Sequence, residues 1–147
     1  MITRIRQIAG LSFTEWVFLS VAVILLPCVN VGLRFFGYRR THSLLRYRKA
    51  GNINRGHGNA SLTRRAQVIG RMVGIAARHG PCRANCLAQS LVLHGLLAMA
   101  GIPAELKFGT PYPDPDLARF TAHAWVEYSG INLSDAGTGQ RYAVFSR

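Results

Sequence analysis

Residues 85–110 read NCLAQSLVLHGLLAMAGIPAELKFGT, and residues 121–135 read TAHAWVEYSGINLSD. The first stretch predicts a helix that starts at Cys86 with Asn85 as its cap. It puts Leu87, Leu91, Val92 and Ala98 on one side and ends at Gly101 and Pro103. Ala104 to Thr110 then alternates, with Ala104, Leu106 and Phe108 against Glu105 and Lys107, the pattern of a half-buried strand. Pro111, Pro113 and Pro115 predict a loop. Thr121 to Ser129 alternates again, and Ile131 to Asp135 follows a turn at Gly130. A helix followed by antiparallel strands makes the fold class α+β.

A cysteine in the first turn of a helix meets unpaired N–H groups and the positive end of the helix dipole, both of which favour the thiolate. Such a nucleophile needs a base, and the base needs an acceptor to orient it. His123 and Asp135 are the candidates. A three-residue loop, Tyr128-Ser129-Gly130, with Gly130 in the left-handed position would pair Glu127 with Ile131. His123 would then lie directly opposite Asp135, whereas a two-residue loop would put them on opposite faces. Taken singly, a strand histidine is usually structural and an isolated cysteine is a small hydrophobe. Together, in this order along the chain, Cys86, His123 and Asp135 make a nucleophile, a base and an orienter. The Cys86 N–H is a candidate oxyanion donor, with Asn85 and Gln89 as candidates for a second. Trp125 shares the strand face of His123, either shielding the imidazole from water or simply filling the core.

Upstream, Ser61 caps a predicted helix through Arg78. Val68, Ile69, Met72, Val73 and Ala76 form its buried stripe, and Gly80-Pro81 ends it. Trp16 to Leu33 carries no charge over 18 residues, the lower limit for a membrane-spanning helix, and Pro27, Asn30 and Gly32 interrupt its second half. A buried or partner-facing helix, capped by Ser12 or Thr14, fits the strongly apolar part, Trp16 to Leu26, better than a span. The run lacks the small-residue cleavage site of a signal peptide. Residues 34–58 begin basic and aromatic and end as a Gly/Asn-rich linker.

The 147 residues are 49% hydrophobic and 16% charged, which excludes a disordered chain. Three cysteines do not make a disulfide framework. Of the 18 Lys/Arg, 14 lie in residues 1–85 against the single acid Glu15; residues 86–147 hold 4 against 5 acids. No nucleic-acid-binding signature accompanies the basic half, so nucleic acid is not an expected partner. The arginines that follow Leu33 predict a cytoplasmic location for the rest of the chain even if the apolar run touches a membrane, and peripheral membrane contact stays open. Unpaired thiols fit that compartment. The expected organisation is a helical, basic region and linker over 1–58 and a catalytic core over 59–147, packed as one unit.

Cys86-Leu87 opening a helix, Gly101-Ile102-Pro103-Ala104-Glu105-Leu106, Ala122-His123-Ala124-Trp125-Val126-Glu127 and the closing Asp135 resemble the B protein of lasso-peptide biosynthesis. That family comprises transglutaminase-like leader peptidases of microcin J-type maturation. The resemblance is specific over about residues 80–136 and loose over the N-terminal helices. It implies a transglutaminase-like, papain-like cysteine protease core, in which a Cys-bearing helix packs on a small antiparallel sheet bearing His and Asp. It also implies Cys86 as nucleophile, His123 as general base and acid, and Asp135 as orienter. Residues 1–79 read as helices without a strand triplet, so the chain resembles the split form, whose leader-recognition domain is a separate protein. The implied partners are the precursor leader, that recognition protein and an ATP-dependent lasso cyclase. No cofactor is expected here, since the chain has no phosphate-cradling Gly-rich loop.

Three other readings compete. His79, Cys82, Cys86 and His94 could supply zinc ligands, although no second short-spaced Cys pair exists. A transamidase would pass the same acyl group to an amine instead of water. A basic interaction protein would use neither chemistry.

Overall fold

The computed structural model describes residues 12–45, 60–81, 84–112, 122–134 and 141–144. Three helices, α1 (Phe13–Leu45), α2 (Ala60–His79) and α3 (Cys86–Met99), precede the strands β1 (Glu105–Tyr112), β2 (His123–Tyr128), β3 (Ile131–Asn132) and β4 (Arg141–Val144). The sheet is antiparallel with the order β3-β2-β1-β4.

Local chemistry accounts for several helix ends. Ser12 and Glu15 form a reciprocal cap on α1: the Ser12 N–H donates to Glu15 Oε2 at 2.7 Å and the Glu15 N–H to Ser12 Oγ at 3.4 Å. At the end of α3, Gly101 sits at φ 73° and its N–H donates to the Ala98 carbonyl, while the Ile102 N–H donates to the Leu97 carbonyl. This paired closure needs a left-handed residue, which glycine supplies, and it turns the buried Ile102 into the core.

The apolar run departs from its expected limits. α1 runs through Pro27 and kinks only at Gly37, where φ is 72° and ψ 174°. Leu26 and Val29, either side of the proline, are buried against the other helices, and this packing outweighs the hydrogen bond that proline forfeits. Beyond the kink, the Tyr38 ring meets Phe108 of β1 edge-on at 5.9 Å, so the basic, aromatic start of residues 34–58 is helix with an aromatic ring against the sheet. One core joins Ala22, Leu26 and Val29 of α1 to the buried stripe of α2, the apolar side of α3, and Val126, Tyr128 and Leu133. In α2, Ile69, Met72, Val73 and Ala76 are buried as expected, and Val68 is half-buried.

Two sheet expectations need correction. β1 continues through Pro111 to Tyr112, pairing Pro111 with Tyr142 of β4, where the prolines predicted a loop. Among the described residues β1 has no partner on its β2 side beyond Gly109, and such an edge tolerates a residue without an N–H. The β2–β3 hairpin closes in two residues, not three: Tyr128 pairs with Ile131 and Glu127 with Asn132. Ser129 and Gly130 both take positive φ, 49° and 77°, a turn whose twist matches that of the strands. The register is therefore one residue away from the one that set His123 opposite Asp135. β3 is also short. The Ser134 N–H donates to Asn132 Oδ1 at 2.9 Å, a local turn that draws the chain off the ladder. Only the Leu133 N–H reaches the Val126 carbonyl, at 2.9 Å.

Candidate functional site

The site is built around the start of α3. Asn85 has extended backbone (φ −73°, ψ 163°), and its Oδ1 accepts from the Ala88 N–H at 2.7 Å. The Gln89 N–H donates to the Asn85 carbonyl at 3.0 Å, the first bond of the helix. The N–H groups of Cys86 and Leu87 thus have no acceptor within the helix. The first turn holds no acidic residue, and the half-buried free thiol of Cys86 stands there at the positive end of the helix dipole.

Two side chains about one turn further on pin this end of α3 to the strands. Ser90 is fully buried, and its Oγ donates to the Ala124 carbonyl at 2.8 Å. Gln89 Nε2 donates to the Ser134 carbonyl at 3.4 Å. Val126 uses its in-plane groups toward β3, the carbonyl accepting from Leu133 and the N–H donating to Ser134 Oγ at 3.0 Å. Ala124, two residues earlier, presents its carbonyl to the same side, where β3 has already stopped. The Ser90 hydroxyl takes that position, so α3 fastens to β2 at the edge that β3 leaves open.

His123 opens β2, paired across the sheet with Gly109, and is half-buried. Its imidazole lies nearly parallel to the Trp125 indole, 16° apart with centroids at 6.3 Å. Trp125 is only 3% exposed, so the ring beside the imidazole is a buried indole. The alternation of β2 sends Val126 and Tyr128 into the shared core and His123, Trp125 and Glu127 to the other face, where Glu127 pairs with Lys107 at 2.8 Å. The Ser90 anchor of α3 and His123 therefore fall on adjacent residues of β2, while the imidazole projects from the face opposite Val126 and Tyr128. The thiol belongs to the helix against the strand edge, one turn from the anchor to Ala124, and the imidazole belongs to the residue preceding Ala124. Asp135 lies outside the described residues; its chain neighbour Ser134 is held by Gln89 and Val126.

Sequence reasoning passed over Ser90, Asn132 and Ser134 as positioning residues. Ser90 carried one available signal, a hydroxyl inside the apolar run LAQSLVL, since a polar group there must find a partner. Gln89, a candidate oxyanion donor by proximity, uses its amide on the Ser134 carbonyl, and the Asn85 side-chain oxygen is committed to the cap. For the zinc reading, His94 sits two turns from Cys86, about 12 Å along α3, too far for one ion. Cys82 lies outside the described residues, among which no group of three or more His, Cys, Asp or Glu could hold a metal. A cavity of about 670 Å³ between the N-terminal ends of α1 and α2, lined by Glu15, Phe18, Arg64, Arg65, Val68 and Ile69 among others, holds neither Cys86 nor His123.

Residues 26–147 match the family model described as the transglutaminase-like superfamily, a span that contains α2, α3, the whole sheet and most of α1. No curated protein and no solved structure matches the chain.

Proposed function

The chain belongs to the transglutaminase-like superfamily, whose papain-like fold serves cysteine peptidases and transamidases, and on that premise we propose that it is a cysteine peptidase of the cytoplasm that removes the leader from a lasso-peptide precursor. The observation that carries the reading is the fastening of the Cys86 end of α3 to β2 at Ala124, the residue after His123, through the buried Ser90 hydroxyl. A nucleophile on a helix start, next to a strand that begins with an imidazole, suits acyl transfer through a thioester.

In this mechanism the Cys86 thiolate attacks the carbonyl carbon of the leader–core amide. Negative charge develops on the carbonyl oxygen, and the Cys86 N–H, which has no helical acceptor, donates to it in this mechanism. The tetrahedral intermediate collapses with cleavage of the C–N bond, and the His123 imidazolium gives its proton to the departing amine of the core peptide. Neutral His123 then takes a proton from water. The resulting hydroxide adds to the leader thioester, and loss of the Cys86 thiolate leaves a free leader carboxylate. The resemblance, and not the strand register, assigns Asp135 to hold the imidazole in the productive tautomer; β3 ends at Asn132, so the hairpin alignment does not set the face on which residue 135 lies. Its tether is short: Ser134, one residue earlier, is bonded to both α3 and β2. The buried Trp125 indole lies beside the imidazole. The freed core amine passes to the ATP-dependent cyclase, and a separate recognition protein delivers the leader.

The experiment is incubation with the precursor peptide encoded beside this chain, with and without the recognition protein, followed by mass analysis. A free leader carboxylate supports hydrolysis. Transfer of the leader acyl group to an added amine supports the transamidase instead. Cys86→Ser should abolish both products in a chain whose circular dichroism is unchanged. Unchanged cleavage by that variant would remove the peptidase reading.

A further inference from the structure

α1 is apolar on both of its sides, and the protein covers only one. Ala22, Leu26 and Val29 are buried against α2 and α3. On the opposite side Phe13, Trp16, Val17, Ile24, Val31 and Phe35 share one helix face, exposed by 85, 46, 44, 65, 54 and 74%. Ser20 and Cys28 complete the same stripe, so it carries no charge over about 33 Å of helix. By length and composition, Phe13–Tyr38 could cross a membrane, yet only 17% of its most apolar window is buried within the protein. A contiguous exposed apolar stripe of this size marks an interaction surface.

The surroundings of the stripe decide what covers it. The sequence places Arg4 and Arg6 before it, Arg34 beside its last residue, and Arg39, Arg40, Arg46, Arg48 and Lys49 after it, so both ends are basic. Positive charge flanking an apolar stripe complements anionic headgroups above an acyl layer. The inner side of α1 excludes a span. It packs against α2, which exposes Arg64, Arg65, Arg71 and Arg78. Carrying α1 through a bilayer in this packing would draw those guanidinium groups into the hydrocarbon, where charge is strongly disfavoured.

We propose that α1 is an in-plane membrane anchor: the Phe13-to-Phe35 stripe lies in the headgroup–acyl boundary of an anionic bilayer, and α2, α3 and the sheet stay in water on its other side. This inference does not depend on the peptidase reading. The full chain is floated with vesicles of phosphatidylcholine alone and of phosphatidylcholine mixed with phosphatidylglycerol. It should float with the mixed vesicles and release as salt rises. Trp16 should be quenched by lipids brominated high on the acyl chain. The quenched component should vanish in Trp16→Phe, because Trp125 is buried in the protein. Burial of each Ile- or Val-sized side chain is worth roughly tenfold in affinity, so the double variant Ile24→Asp, Val31→Asp should bind about a hundredfold more weakly. Both positions are exposed, and circular dichroism checks the fold. If that variant misfolds, the quenching of the unaltered chain decides alone. A folded chain that leaves both vesicle types bare overturns the proposal. So does membrane-bound chain that alkaline carbonate cannot release, the mark of a span. Self-association without lipid binding, abolished by the two aspartates, assigns the stripe to a second copy and also overturns it.

Discussion

Two glycines of α2, four residues apart and both buried, should respond to alanine in opposite ways. At Gly70 an added Cβ would stand 2.6 Å from the backbone carbonyl oxygen of Leu133, whereas at Gly74 the nearest atoms are the Arg78 guanidinium nitrogens at 3.7 Å. Alanine in either place gains about 0.5–1 kcal/mol of helix stability from the lost freedom of glycine. At Gly74 that gain stands nearly alone, since 3.7 Å is ordinary contact with a mobile side chain. At Gly70 the obstacle is backbone, and the helix and the end of the hairpin must separate by close to an ångström, an overpacking that costs about 1–3 kcal/mol. The helix term cancels between the two variants, so Gly70→Ala should be about 1–3 kcal/mol less stable than Gly74→Ala. For a chain of this size that is roughly 2–12 °C between their melting temperatures. The assay is thermal unfolding followed by circular dichroism, paired with turnover of the precursor peptide. Leu133 lies one residue from Ser134 and two from Asp135, so the same displacement should lower turnover in Gly70→Ala alone, because misplacement by about 1 Å can cost a hundredfold. Equal melting temperatures for the two variants would refute the close approach of α2 to the hairpin.

Other perturbations follow from particular contacts. Ser90→Ala leaves the Ala124 carbonyl buried without its donor and should cost about 1–3 kcal/mol in denaturant unfolding, with a fall in kcat larger than any change in KM. His123→Ala should slow alkylation of Cys86 by iodoacetamide, read by peptide mass analysis, and leave the exposed Cys28 thiol unaffected. Asp135→Asn should lower kcat by several orders of magnitude with the fold intact, because an amide holds the imidazole in the wrong tautomer. Lys107→Ala should cost less than about 1 kcal/mol, and less still in high salt, because the Lys107–Glu127 pair is partly exposed.

The start of α3 was legible because everything that makes it is local. Asn85 supplies its own cap three residues before Ala88, and Gly101 supplies the left-handed residue that ends the helix. The identities of Cys86 and His123 as candidates came from the same short-range reading, as did the shared face of His123 and Trp125, which follows from strand alternation. The hairpin register was not legible. A loop of two residues needs Ser129 in the left-handed region, and nothing in the letters announces that a serine will accept it. Nor was the shortness of β3, which depends on an Asn132 side chain replacing a strand partner.

The sequence alone therefore determined the helix-then-strand order, the ends of α3, and which residues carry sulfur, imidazole and carboxylate, because capping, chain reversal and side-chain alternation act over three or four residues. Tertiary structure decided that α1 passes Pro27 unbroken, that β1 outlasts its prolines, and that α3 is fastened to the edge of β2 beside His123. Each of these rests on groups distant in sequence: Leu26 against the helices of the core, Pro111 beside Tyr142, the Ser90 hydroxyl on the Ala124 carbonyl. Burial and the pairing of buried polar groups are settled by what packs alongside, and only the folded chain supplies those neighbours.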